Sequence, residues 1–334
     1  RGILLVNTGS PDSPEIKDVR RYLGEFLMDK YVMDVMLPLR FALVRGIILP
    51  TRPRKSAEAY RSIWREDGSP LVAISRSVRA RVQEGVGPRV ALGMRYGNPS
   101  IRSGLLELLD PAAGGVDTIR LIPLFPHYAM STTGSVIAKT RKLLAGMDAD
   151  VRLEVLPPFY EDETYIDALT SSIRDWLDDD HDHVLFSYHG LPERHLRKTD
   201  PTGGHCLRSE DCCQVPSPAH KTCYRHQVFK TTEMVAARLG LPTGRFSVAF
   251  QSRLGRDRWL TPNTSVTLRD LSQAGVKKLL VVCPSFVTDC LETLEEIGLR
   301  GRRTFESAGG GTRDLVPCLN DGPQWIRTLQ MWCA

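Results

Sequence analysis

No apolar run in this 334-residue chain is long enough to cross a bilayer; the nearest, 32–50, is broken by Asp34, Pro38, Arg40 and Arg45. Neither GxxxxGK[ST] nor GxGxxG occurs at a strand–helix junction, so the usual phosphate cradles of nucleotide-binding folds are missing. No block of Arg and Lys interleaved with aromatics is present, and the net charge is only +5, which argues against nucleic acid as a partner. That mild basic excess suits small anions or an anionic membrane surface. Nothing resembling an export signal opens the chain, which runs from Arg1 straight into an apolar segment. The expectation is a cytosolic protein, where structural disulfides are disfavoured.

What remains is an ordinary globular composition, 42% hydrophobic and 25% charged, in a chain long enough for two domains. Short apolar runs rich in β-branched residues recur at 3–8, 89–95, 118–124, 151–156, 183–188, 245–250 and 278–283. Helical periodicity fills gaps between them, at 135–144, 165–177, 229–239 and 266–274. This alternation predicts an α/β fold with parallel sheets. Three landmarks repeat in the same order. Asn7-Thr-Gly-Ser-Pro11 echoes Tyr188-His-Gly-Leu-Pro192, Met94-Arg-Tyr-Gly97 echoes Ser252-Arg-Leu-Gly255, and Ile122-Pro-Leu-Phe125 echoes Cys283-Pro-Ser-Phe286. Two related halves, split near Pro157-Pro158, follow from that order, with Thr8 and His189 as counterparts. The Met/Leu-rich stretch 22–50 and the polar, cysteine-rich stretch 198–225 break the rhythm and read as elaborations of the core.

The chemistry-bearing residues gather at predicted strand ends, which border the ligand crevice in open α/β sheets. His189 follows one such strand, before Gly190 and Pro192. Asp289, Glu292 and Glu296 follow another at spacings of three and four, which on an α-helix places them on one face. A solvated helix start would favour acids there as well. Placed at a strand end, these oxygen ligands suit a hard or borderline divalent cation. Arg52, Lys55 and Arg95-Tyr96 could meet carboxylates. Trp259 is either a lid on the core or an aromatic wall, and Tyr128 lies in a polar turn before a helix cap at Ser131-Thr-Thr-Gly134. Of the eight cysteines, Cys206, Cys212, Cys213 and Cys223 fall in one loop-like segment. That clustering points to metal: four thiolates for a [2Fe–2S] cluster, or structural zinc with His205, His220 or His226, against unligated thiols.

Taken together, these segments resemble the ferrochelatase family, enzymes that insert ferrous iron into a porphyrin to make haem. The resemblance runs almost end to end. It includes Leu5-Val-Asn-Thr-Gly-Ser-Pro11, Tyr60-Arg61, Arg95-Tyr96, Pro123-Leu-Phe-Pro-His-Tyr-Ala-Met-Ser-Thr-Thr-Gly134, Ser187-Tyr-His-Gly-Leu-Pro192, Phe250-Gln-Ser-Arg253 with Trp259-Leu260, Asp289-Cys-Leu-Glu-Thr-Leu-Glu-Glu296 and Pro317-Cys-Leu-Asn320. It implies two Rossmann-like domains with parallel four-stranded sheets and a porphyrin cleft between them. The first would be 1–156 plus 312–334, with an apolar, membrane-meeting lip at 22–50 and a returning C-terminal helix. The second would be 157–311, with the Cys-rich insertion 198–225. The resemblance assigns His189 and Glu292 to catalysis and to the iron substrate, and Asp289 and Glu296 to a metal or proton path. It puts Thr8, Arg52, Lys55, Arg95, Tyr96, Tyr128, Trp259 and Phe286 at the porphyrin, and a [2Fe–2S] cluster on Cys206, Cys212, Cys213 and Cys223. The family pattern is broken at Thr8 (Met or Tyr in some members), Cys290 (histidine in others), Ser285 (usually glycine) and Asn263 (frequently tyrosine). The implied activity is insertion of Fe2+ into protoporphyrin IX, ending haem synthesis, by a monomer or homodimer with peripheral membrane contact. The alternatives are a chelatase for coproporphyrin or cobalt, and a non-catalytic two-lobed haem- or metal-binding protein.

Overall fold

The computed structural model describes residues 1–253, 255 and 257–334. Leu254, within the landmark 252–255, and Arg256 lie outside the described residues. The chain forms two compact units. One comprises Arg1–Phe125, Met130–Pro157 and Asn320–Ala334, the other Pro126–Ala129 and Pro158–Leu319.

The first unit holds a parallel sheet of β1 (Gly2–Ser10), β2 (Arg89–Gly97), β3 (Thr118–Pro123) and β4 (Arg152–Val155), in the order β2-β1-β3-β4. The second holds β5 (His183–His189), β6 (Phe246–Gln251), β7 (Lys278–Val282) and β8 (Thr312–Leu315), in the order β6-β5-β7-β8. The fold class is thus α/β with two four-stranded parallel sheets. The central strands read as continuous apolar runs because helices cover both faces. Ile3, Leu4, Leu5 and Val6 are wholly buried, as are Leu185 and Phe186.

The repeat in the sequence has a structural cause. Each unit winds its four strands in the same order, and each central strand has a glycine at or just past its C-terminal end, pressed against the neighbouring strand. A Cβ on Gly9 would meet the Tyr96 carbonyl oxygen at 1.8 Å, and one on Gly190 would meet that of Gln251 at 2.9 Å. After each second strand the chain turns back through a proline whose carbonyl accepts a strand N–H, Met94 N to Pro99 O at 2.6 Å and Phe250 N to Pro262 O at 2.8 Å. The next residue, Ser100 or Asn263, caps a helix with its side chain. A further echo, not noticed in the sequence, follows each fourth strand. Leu156-Pro-Pro-Phe159 leads into the helix Glu163–Arg174, and Val316-Pro-Cys-Leu319 into the helix Pro323–Cys333.

One reading from the sequence is corrected. The segment carrying Glu292 and Glu296 is a π-helix, Glu292–Gly301, and Asp289 precedes it. Its wider i→i+5 winding changes the face on which spacings of three and four fall. The stretch 22–50 completes the helix Ile16–Leu27 and then breaks into a short helix, Leu37–Phe41, and a second π-helix, Ala42–Ile48.

Candidate functional site

His189 is the last residue of β5, the strand flanked by β6 and β7. Its backbone is held at both ends. The N–H donates to Ser285 Oγ at 3.0 Å, and the carbonyl accepts from the Tyr224 hydroxyl at 2.8 Å. Its imidazole Nδ1 lies 2.7 Å from the Gly190 carbonyl oxygen. A carbonyl can only accept, so Nδ1 carries a proton, and in the neutral form of the ring the lone pair lies at Nε2. Phe286 stands edge-on to the ring, 6.1 Å between centroids. Trp259 packs at the same place, because its Cε3 is 3.3 Å from where a Gly190 Cβ would sit. A base and two aromatic surfaces therefore meet at the C-terminal edge of this sheet.

Gln251, the strand partner of His189, ties that edge to the acidic segment. It is buried; its Oε1 accepts from Ser187 Oγ at 2.8 Å, and its Nε2 donates to the Glu292 carbonyl at 3.3 Å. The three acids differ in how far they are committed. Asp289 is buried and accepts from Thr293 Oγ1 at 2.9 Å and from the Cys318 N–H at 3.4 Å. Glu296 accepts from the Ser252 N–H at 2.8 Å and the Ser252 hydroxyl at 2.6 Å, with Arg300 at 3.9 Å. Glu292 is half-buried, and its carboxylate is met by the Cys290 thiol. Burial, then the Glu292 charge, pushes that thiol well above its ordinary value, so Cys290 stays protonated and can donate. Cys283 and Cys318 are pushed up by burial in the same way, which leaves them inert.

In the first unit, Arg95 and Tyr96 at the end of β2 converge on Asp29, which the sequence reading overlooked. The Arg95 guanidinium pairs with Asp29, donates to Ser135 Oγ at 2.6 Å and lies over the Tyr96 ring at 4.4 Å. The Tyr96 hydroxyl donates to Asp29 at 2.8 Å. Burial alone would raise the Asp29 carboxyl, but the Ser135 hydroxyl, the Tyr31 N–H and Arg95 outweigh it and hold it below its usual range. The same burial lifts the Tyr96 phenol. Beside this network lies a cavity of about 770 Å³ edged by Lys17, Arg20, Arg21, Arg45, Arg95 and Lys139, with Glu25 as well as Asp29. Arg52 and Lys55 are exposed at the start of the helix Pro53–Arg61, and Thr8 is half-buried in β1. Tyr128, in the second unit, donates its N–H to Gln227 Oε1 at 2.7 Å.

The four clustered cysteines are all buried. Cys223 is the N-cap of the helix Tyr224–Leu239. The Cys206 and Cys213 thiols lie within hydrogen-bonding reach of its sulphur and pull its pKa down to about 3, while their own are pushed up. Arg225 Nη1 is 3.8 Å from Cys212 Sγ. A helix N-terminus, an arginine and two thiol donors make this a place for thiolates. The neighbouring histidines are aimed at carbonyls instead. His205 and His220 both donate from Nε2 to Cys212 O, and His226 donates from Nδ1 to Cys213 O. Among the described residues, no three or more His, Cys, Asp or Glu side chains form a group that could hold a metal ion. The four thiols nevertheless lie close together, since Cys206 and Cys213 reach Cys223 and Cys212 interacts electrostatically with Cys206 and Cys213, and four thiols are the donor set that a two-iron cluster takes.

Sequence reasoning gave no role in the site to Asp29, Ser135 or Tyr224, nor to Gln251 and Ser285, although the last two stood in quoted motifs. The ferrochelatase family profile matches residues 1–334. The chain is similar to the ferrochelatase of Pseudomonas fluorescens strain Pf0-1, 52% identical over 99% of this chain and 96% of that protein. It is also similar to that of Azotobacter vinelandii, 53% identical over 99% and 97%. Among solved structures, SirB from Bacillus subtilis with Fe3+ shares the fold, with a TM-score of 0.55 and 12% identity over 99% of this chain and 92% of that one. The chain belongs to the ferrochelatase family of lyases.

Proposed function

We propose that this ferrochelatase inserts Fe2+ into protoporphyrin IX, releasing two protons and forming protohaem, as the terminal step of haem synthesis. The observation that carries the assignment of roles is the 2.7 Å contact of His189 Nδ1 with the Gly190 carbonyl oxygen. With Nδ1 held by the Gly190 carbonyl, Nε2 is the acceptor for a pyrrole proton. Glu292, whose carboxylate is met by the Cys290 thiol and by no stronger side-chain donor among the described residues, is the acid best placed to take iron or the second proton. Asp289 and Glu296, fixed by Thr293 and Ser252, extend the acidic path behind it. Trp259 and Phe286 supply apolar surface for the ring, with Thr8, Tyr96 and Tyr128 as further contacts. Arg52, Lys55 and Arg95 supply cations for the propionates. Bending a flat macrocycle to expose its nitrogens draws on binding at such remote contacts.

The four loop cysteines would hold a [2Fe–2S] cluster, which supplies reversible one-electron chemistry and a covalent cross-link. Insertion of ferrous iron has no net redox change, so no catalytic step uses it. A peripheral membrane contact of a cytoplasmic protein is carried by Met36, Leu37, Leu39, Phe41 and Ile47, all exposed, with Arg45 among them. No helix among the described residues is long and apolar enough to cross a membrane. The test is a metal-insertion assay with ferrous iron and protoporphyrin or coproporphyrin. His189→Ala should abolish turnover and Glu292→Gln should change the iron dependence; near-normal turnover in the first, or an unchanged iron dependence in the second, refutes the respective role.

A further inference from the structure

The Cys-rich loop and His189 share one structural element, the first turn of the helix Tyr224–Leu239. Its N-cap is Cys223, on which Cys206 and Cys213 converge. Its first residue is Tyr224, whose hydroxyl donates to the His189 carbonyl at 2.8 Å. Ser285, which accepts the His189 N–H, has its hydroxyl within hydrogen-bonding reach of the same phenol. Both backbone groups of His189 therefore end on one polar pair, Tyr224 and Ser285.

This pair has little freedom. Tyr224 is buried, with its ring edge-on to His127 at 5.8 Å between centroids. The helical turn below it is closed by Gln227 N to Cys223 O at 3.1 Å. The buried Gln227 side chain also donates to the carbonyls of His220 and Lys221 at 3.1 and 3.0 Å, tying the turn to the loop. A displacement of Cys223 must be carried into the adjacent residue, because consecutive Cα atoms are about 3.8 Å apart and helical dihedrals are stiff. At the other end, the His189 carbonyl belongs to the peptide plane whose N–H donates to Gln251 O at 2.6 Å. Tilting that plane reorients the imidazole, whose Nδ1 is bonded to the carbonyl one residue on.

We propose that Tyr224 is a positioning residue through which the state of the Cys206, Cys212, Cys213 and Cys223 loop sets the orientation of His189. The inference deepens the functional reading, since it rests on His189 as proton acceptor and on the loop as a cluster site. It gives a cluster whose redox chemistry no catalytic step uses a consequence for turnover: the loaded loop holds Cys223, Cys223 holds Tyr224, and Tyr224 holds the base.

The experiment compares the full chain with Tyr224→Phe, with a Cys206→Ser/Cys213→Ser pair, and with all three changes together. Visible absorption of the cluster, kcat and KM for protoporphyrin, and amide hydrogen exchange over residues 187–191 are measured on each. Tyr224→Phe should keep the absorption and change KM by less than about twofold, yet lower kcat about tenfold and speed exchange at 187–191. The cysteine pair should lose the absorption and reproduce the same kcat and exchange changes. The triple variant should fall no further than either. Additive losses, or lost absorption with unchanged exchange at 187–191, overturn the proposal. If the cysteine pair does not fold, cluster removal by chelation in the parent and in Tyr224→Phe gives the same comparison. A parent without cluster absorption overturns the coupling. His189→Ala that still turns over sinks the functional reading separately, because the exchange measurement reports the clamp without any turnover.

Discussion

Gly190→Ala is the smallest change that tests whether His189 is placed by the strand edge. The added Cβ would lie 2.9 Å from Gln251 O, 3.1 Å from Ser252 O and 3.3 Å from Trp259 Cε3. Two of these are backbone atoms that cannot rotate away. Reaching an ordinary contact requires about half an ångström of separation between the ends of β5 and β6. That movement lengthens the Gly190 N to Gln251 O bond, now 2.6 Å, and carries His189 with it. Overpacking of this kind costs about 1–3 kcal/mol, with about 1 kcal/mol more for the weakened bond. At about 2–4 °C per kcal/mol, melting should fall by about 4–16 °C. A misplacement of about 1 Å can cost about a hundredfold in rate, so half of that should cost about tenfold in kcat. Melting followed by circular dichroism and steady-state metal insertion read the two effects separately. A variant that melts lower but turns over at the parent rate would show that the base is not held by this edge, and the reasoning would fail.

Three other outcomes follow from the network. Gln251→Leu keeps the volume but removes a donor from the Glu292 carbonyl and leaves the Ser187 hydroxyl with Thr264 Oγ1 at 2.8 Å, so unfolding by urea should show a loss of about 1–3 kcal/mol together with reduced iron insertion. Asp29→Asn removes a carboxylate whose pKa is held below its ordinary value. Because the folded pKa is depressed, its stabilisation is present above about pH 4 and fades as pH falls further, so parent and variant stability curves should converge in acid. His127 is fully buried and its pKa is pushed down to about 3 by burial. The unfolded chain binds a proton there that the native state refuses. Stability should therefore drop as pH falls from about 6.5 towards 3, by about 1.4 kcal/mol per pH unit, and His127→Gln should remove that slope in pH-dependent unfolding.

The sheets were legible because buried parallel strands announce themselves as apolar, β-branched-rich runs; seven of the eight stood out, β4 by the alternating Val151, Leu153 and Val155 rather than by an uninterrupted run. The eighth, Thr312–Leu315, is four residues long and contains Arg313 and Asp314, so no apolar run marks it. Its place follows only from the duplicated Leu156-Pro and Val316-Pro junctions, where Leu156 N and Val316 N bond back to Leu121 O and Val281 O. The π-helix Glu292–Gly301 was read as an α-helix for a related reason. Apolar spacing reports that one face is buried; it does not report the register of the backbone bonds. Here a buried arginine takes part, since Arg313 Nη2 donates to Gly298 O at 2.9 Å, and a contact fifteen residues away leaves no local trace.

The same limit decides which parts of the site could be read. His189, Glu292 and the loop cysteines carry chemistry that their residue types disclose. Tyr224, Ser285 and Gln251 act through hydroxyl and amide groups that any sequence has in plenty, and their meaning lies in what they face. Gln251 matters because β6 pairs it with His189 and because its amide then reaches Glu292. Ser285 matters because the loop after β7 returns to the end of β5. Each relation joins strands adjacent in the sheet but far apart in the chain, and strand order is set by the winding of the whole unit. The first unit shows that this is a property of the fold. There too a tyrosine from a following helix, Tyr22, donates its hydroxyl to the carbonyl at the end of the central strand, Gly9 O, at 3.0 Å. The duplicated winding thus supplies a tyrosine clamp twice, one residue further along in the first unit, and in the second unit the clamped residue is the base itself.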